Sequence, residues 1–197
     1  MAAAMTSRDR ILDSARDAFV SRGLIAASIG DVSASAGASV GSIYHHFEGK
    51  EGLAAEVYAD ALADFQRAFA DAVTSATAAE DGVRAGVKTV LRWCLRDEPE
   101  AAQFLLTASD AARGPAEDRV RELNREFFAR VVGWWKPHVK QGAVRELDLD
   151  LIAAIWLGPS LEYCRMRLTG RTRVAHRRAE RALADAAWNA LRNEGER

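Results

Sequence analysis

No proline occurs before Pro99, and apolar residues recur along the chain at intervals of three and four rather than two. That spacing lines apolar side chains along one face of a helix of about 3.6 residues per turn, whereas a half-buried strand needs strict alternation. Runs of alternating Val, Ile and Thr are nearly absent, so the chain is expected to be all-α.

The first helix is expected over residues 7–22. Ile11, Leu12, Ala15, Ala18 and Phe19 share its apolar face, with Thr6 or Ser7 as cap and Gly23 as stop. The stretch "SIGD" at 28–31 has the form of a capping box, in which the Ser28 hydroxyl accepts from a backbone N–H while Asp31 reaches back. A second short helix would end near Ala36, Gly37 would supply a tight turn, and Ser39 would cap a third helix reaching about His46. Two short helices across such a turn make a helix-turn-helix, whose second helix enters the major groove.

From Lys50 a long stripe of Leu53, Val57, Ala61, Leu62, Phe65, Phe69 and Val73 follows. At ~1.5 Å per residue this helix spans roughly 35 Å, and it is joined to the preceding unit only by Phe47, Glu48 and Gly49, so it is a candidate lever. Further helices are expected at 79–97, 99–113, 116–141, 148–169 and 174–193. Pro137 and Pro159 fall inside two of them and predict kinks.

With 49% hydrophobic residues, 28% charged residues and a formal net charge of -1, the 197-residue chain has the composition of a globular protein, and its charge points to no partner. Cys94 and Cys164 lack metal-ligand spacing and are expected to be reduced core thiols. His45 and His46 are adjacent, so on a helix they point about 100° apart and cannot chelate one ion. No metal and no cofactor is expected. Neither a Ser/His/Asp grouping nor a carboxylate pair stands at a spacing that supports catalysis, so the chain is expected not to be an enzyme. An apolar run of signal-peptide or membrane-spanning length is missing, which predicts a cytoplasmic protein without membrane contact.

The five tryptophans, at 93, 134, 135, 156 and 188, all lie beyond the N-terminal part of the chain. Trp93, Phe104, Trp134, Trp135, Trp156 and Tyr163 are candidates to line a site for an apolar or aromatic effector, although each single ring also suits core packing. Between Arg165 and Arg181 stand seven arginines and a single acid, Glu180, the steepest charge asymmetry in the chain. A solvated or ion-paired surface is the reading favoured over a nucleic-acid patch.

The segment "ILDSARDAFVSRGLIAASIGDVSASAGASVGSIYHHFEGKEGL" closely resembles the DNA-binding region of the tetracycline-repressor (TetR/AcrR) family. The resemblance lies in the spacing of the first helix with Phe19 and Gly23, in the Ala36-Gly37 turn, and in Gly41, Tyr44, His46, Phe47, Lys50 and Leu53 in order. It implies a three-helix DNA-binding head over 1–49 and a helical effector-binding and dimerisation domain over 50–197. It further implies a homodimeric repressor of a double-stranded DNA operator, released by a small-molecule effector. Carried over by position, the DNA contacts would be Ser28, Ser39, Val40, Gly41, Ser42, Tyr44, His45 and Lys50. Val40 stands where the family often has Lys, and Ser33 replaces the usual Ala. His46 is expected to pack on the first helix. The dimer contact is expected on Leu149, Ile152, Ala153, Trp156, Ser160 and Tyr163, together with a small-residue stripe of Ala179, Ala182, Leu183, Ala186, Ala187, Ala190 and Leu191. A second reading is a ligand sensor that acts through protein partners and keeps a vestigial head.

Overall fold

The computed structural model describes residues 6–107 and 114–193. Among these the regular elements are all helical, apart from one isolated antiparallel bridge between Val144 and Arg192. Helix α1, Ser7–Ala26, starts where the Thr6 hydroxyl accepts from the Asp9 N–H at 3.1 Å while the Asp9 carboxylate accepts from the Thr6 N–H at 2.9 Å. Gly23, at φ 79°, leaves helical geometry within it, at the position where a stop is expected. Helices α2, Ile29–Ala36, and α3, Val40–Phe47, have only 8 residues each. Helices that short do not persist alone in water, so their caps and the core beneath them must hold them. The long helix α4 follows as Lys50–Thr74.

Helix α5 covers Ala79–Arg92 and continues into a wider turn, Trp93–Asp97, which closes with a bond from the Glu98 N–H to the Trp93 carbonyl at 2.9 Å. Pro99 follows at once, and the residue before a proline is pushed out of helical geometry. Helix α6 then runs Pro99–Thr107, and the remainder of the expected 99–113 helix lies outside the described residues. A tight turn at Gly114–Ala116 leads into α7, Glu117–Lys140, which continues through Pro137. The single helix expected at 148–169 is two, α8 at Leu149–Trp156 and α9 at Gly158–Leu168. The division falls at Leu157, which puts Pro159 in the first turn of α9, where a missing N–H leaves no intrahelical bond unmade. Helix α10, His176–Leu191, is the last.

The chain forms two compact units, Met1–Ala63 with Glu100–Glu122, and Asp64–Pro99 with Leu123–Arg197. In the first, Ile11, Leu12, Ala15 and Phe19 of α1 pack with Val32 and Ala36 of α2, Ile43 and Phe47 of α3, and Leu53 and Val57 of α4. Arg8 of α1 and Arg119 of α7 both pair with Glu56 and Asp60 of α4, and the Arg8 guanidinium lies 5.6 Å from the centre of the Phe47 ring.

In the second unit α5 is the central element, with α9 and α10 packed on it. Two glycines one turn apart let indole rings approach its backbone. A Cβ on Gly82 would stand 2.1 Å from Cζ2 of Trp134, and one on Gly86 would stand 2.9 Å from both Phe69 and Trp156. The Trp156 indole N–H donates to the Val83 carbonyl at 2.9 Å between these two positions. Cys94 and Cys164 are both buried in this unit, where mutual hydrogen bonding and burial push the Cys94 thiol pKa far up. Cys94 is thereby kept neutral in the core.

Adding one methyl at residue 82 therefore requires Trp134 to leave its seat. Gly82→Ala is expected to lower unfolding free energy by about 2 kcal/mol in urea titrations, despite alanine's better helix propensity. Unchanged or raised stability would show that the close approach is not needed.

Candidate nucleic-acid interface

The helix-turn-helix is built from reciprocal caps. Ser28 Oγ accepts from the Asp31 N–H at 3.1 Å and the Asp31 carboxylate accepts from the Ser28 N–H at 3.2 Å, which fixes the start of α2. Gly37 ends that helix in the left-handed region at φ 62°, a conformation that costs glycine nothing. Ser33 has a definite task here, because its hydroxyl donates to the Ala38 carbonyl at 2.6 Å and braces the turn. An alanine cannot make that bond. The Ser39 hydroxyl then accepts from the Ser42 N–H at 3.1 Å and fixes the start of α3.

On this frame, Ser39, Val40, Gly41 and Ser42 form the cap and first turn of α3, with Tyr44 and His45 one turn further on. Val40 is 45% exposed and Tyr44 54% exposed, whereas Ile43 and Phe47 are buried. Gly41 and His45 are also exposed, as is Ser28 at the start of α2. His46 does not pack on α1 but is exposed, with its ring 5.9 Å from that of Phe47.

Lys50 has a role that its sequence position does not reveal. Its ammonium donates to the Ile25 carbonyl at 3.1 Å and the Ala27 carbonyl at 3.2 Å, tying the start of α4 to the last turn of α1 and the residue that caps it. Two of its three protons are thereby used, and one is left for an outside acceptor. Among the other cations of the head, Arg8, Arg16 and Arg22 are ion-paired within the protein, whereas Arg10 on α1 has no carboxylate partner among the described residues. The cap and first turn of α3, Ser39 to Ser42, carry amide, hydroxyl and apolar groups and no charged side chain.

The aromatic candidates divide. Trp134, Trp135 and Trp156 form one cluster with ring centres 5.7–6.3 Å apart, and Trp93 joins it through Phe65 and Phe69. Phe104 packs instead on Phe19 at 5.8 Å, inside the first unit. Trp93 donates to Asp64, Trp134 to the Ala76 carbonyl, and Tyr163 to the Val174 carbonyl. Like the Trp156 bond, these are internal structural tasks. Trp135 differs: its indole N–H is buried without an acceptor among the described residues, and its ring lines a groove of about 500 Å³ with Val132, Val139, Leu149 and Ile152. Sequence reasoning passed over Gly82 and Gly86, whose four-residue spacing in "GVRAGV" was the available signal.

The expected dimer stripe largely faces inward. Ile152, Trp156, Ser160 and Tyr163 are buried within the second unit, as are Ala179, Ala187 and Leu191 on the face of α10 that packs on α5. Ala182 and Ala186 are exposed. An alanine-rich stripe serves close packing within one chain as well as between two, and most of this one is buried within the chain.

A three-helix head with two capped helices across a left-handed glycine, one of them presenting an exposed N-terminal turn, defines a helix-turn-helix DNA-binding protein. Residues 11–57 match the model of the bacterial regulatory proteins of the tetR family. The chain is 31% identical over 153 residues to the HTH-type transcriptional repressor KstR2 of Mycolicibacterium smegmatis, covering 74% of this chain and 71% of that one. Solved structures share its fold. A TetR family transcription regulator from Marinobacter aquaeolei VT8 has a TM-score of 0.74 at 19% identity, over 95% of this chain and 96% of that one. The regulator FadR from Bacillus subtilis, solved with stearoyl-CoA, also has 0.74, at 13% identity over 95% and 98%. This chain belongs to the TetR family of DNA-binding transcription regulators. Among the described residues, no helix is long and apolar enough to cross a membrane.

The α2 cap carries a charge signature. Hydrogen bonds from Arg22, then from the Ser28 hydroxyl and N–H, hold the Asp31 carboxyl below the usual Asp range. A carboxylate depressed in the folded state contributes stability above its unfolded pKa of about 3.9 and loses it as pH falls through the folded value. Asp31→Asn is therefore expected to be less stable than wild type at neutral pH, with the gap closing below about pH 4. A gap that stays constant on acidification in urea titrations would contradict this.

Proposed function

We propose that the chain is a ligand-responsive repressor that binds a near-palindromic operator as a homodimer and leaves it when a small hydrophobic or aromatic effector binds. The observation that carries this reading is the exposed, capped first turn of α3. Ser39, Val40, Gly41 and Ser42 would meet base edges and phosphates in the major groove, with Val40 against a thymine methyl. Ser28, Tyr44, His45 and the remaining proton of Lys50 would hold the flanking backbone. Residues 1–49 would form the head and residues 50–197 the effector and dimer part. The KstR2 relative's name describes a repressor, and one structural neighbour holds an acyl thioester, which supports both halves of the proposal.

The effector would lie against Trp135, whose indole N–H is unmatched and whose groove is mainly apolar. Release would be a population shift: the ligand must favour the form whose two heads do not fit successive grooves, because only differential affinity moves an equilibrium. The dimer would form through the outward residues of α10, Ala182 and Ala186 among them.

The reading is tested by titrating the purified protein with the palindromic DNA beside its own gene. Few free cations mean few released counterions, so the plot of log affinity against log salt should be shallower than about -9, the slope that ten neutralised phosphates produce. Tyr44→Phe should cost about 1 kcal/mol per head. It is a cleaner variant than Lys50→Ala, which also removes two main-chain bonds. Failure to bind at low salt, or a Tyr44→Phe protein that represses normally, would point to a sensor working through protein partners.

A further inference from the structure

The second unit carries a basic cleft that DNA binding leaves unused. Two adjoining cavities of about 470 and 520 Å³ open between α5 and α10, and both are lined by Lys88, Arg96 and His176. Arg84, Arg177 and Arg181 line the second. Glu180 is the one acid in either lining, and it faces His176 at 3.3 Å.

What distinguishes this cleft is that several cations without an acid partner line one concave site. Several arginines of the unit are matched by acids: Arg92, which lines the first cavity, by Asp97, Arg130 by Asp71, and both Arg165 and Arg171 by Glu162. Within the cleft, Arg84 is held by Glu80 and Asp185. Lys88, Arg96, Arg177 and Arg181 have no carboxylate partner among the described residues. With 28 acidic residues against 27 basic ones, the chain does not lack acids to place there. Helix α10 also begins at the cleft without a side-chain cap and without an acid in its first turn, so its N-terminal field adds to the positive potential. Cations gathered in a concave site repel one another until an anion enters.

We propose that this cleft binds a small molecule carrying two or more linked phosphate groups. Guanidinium forks from Arg96, Arg177 and Arg181 suit phosphate oxygens, and Lys88 adds a point charge. The volume is that of a small-molecule site, whereas a DNA duplex is too broad to enter between two packed helices. The Arg-rich run thereby divides: Arg165 and Arg171 pair with Glu162, while Arg177 and Arg181 face the cleft. This site is separate from the head and from the groove beside Trp135, and it stands whether or not the effector reading does.

The test is calorimetric titration of the full chain with inorganic tripolyphosphate and with ATP at constant ionic strength. Saturable binding is expected, weakened about tenfold or more in Lys88→Gln/Arg96→Gln and in Arg177→Gln/Arg181→Gln. Arg173→Gln/Arg178→Gln, outside the cleft lining, should bind as wild type does. The two cleft variants alter different elements at exposed positions, and unchanged melting confirms that each is folded. Tighter binding of ATP assigns a nucleoside-bearing ligand, and tighter binding of tripolyphosphate a bare phosphate chain; either supports the site. No saturable binding, or equal weakening in the control variant, overturns it. So does an equal loss of affinity for random-sequence duplex DNA in the cleft variants, which would give these cations to nucleic acid.

Discussion

Everything in the reading head depends on satisfying backbone N–H groups at the starts of two helices that are each too short to stand alone. Ser28 with Asp31 does this for α2 and Ser39 for α3, while Gly37 and Ser33 set the turn between them. The caps hold α3 on the core with Ile43 and Phe47 buried and with Val40 and Tyr44 exposed. Burial and presentation are thus one constraint seen from two sides. A head with three of its four arginines in internal pairs can still offer an organised surface, since the first turn of α3 is positioned by hydrogen bonds rather than by attraction between charges.

The second unit solves a different problem, that of seating large rings against a helix. Gly82 and Gly86 bring Trp134 and Trp156 within contact of the α5 backbone, and Val83 accepts from the Trp156 indole between them. Most of the aromatic polar groups are spent in this way. Among the described residues the Trp135 N–H is buried without an acceptor, and the cost of such a donor, about 1–3 kcal/mol, is what a ligand acceptor could remove.

The sequence was most informative where local chemistry determines structure. The Thr6 and Ser28 caps, the Gly23 break and the Gly37 turn stand where their residue types require. So does the all-helical architecture, because a period of three and four has no other regular solution. Tertiary partnership was not legible. Nothing in the stretch around Lys50 shows that its ammonium reaches back to Ile25 and Ala27, and nothing in an alanine stripe tells an internal seam from a dimer face. His46 likewise came out exposed, because the apolar spacing of α3 assigns the buried face to Ile43 and Phe47 and leaves no room on it for a third ring.

The central claim is that α3, held by its caps, reads DNA with few cations in two successive major grooves. Hydroxyl-radical footprinting of the bound operator tests it most directly. Two protected patches on one face of the duplex, about 10 base pairs apart, are predicted. Protection that runs evenly along the DNA, or that appears equally on unrelated sequences, would contradict the account.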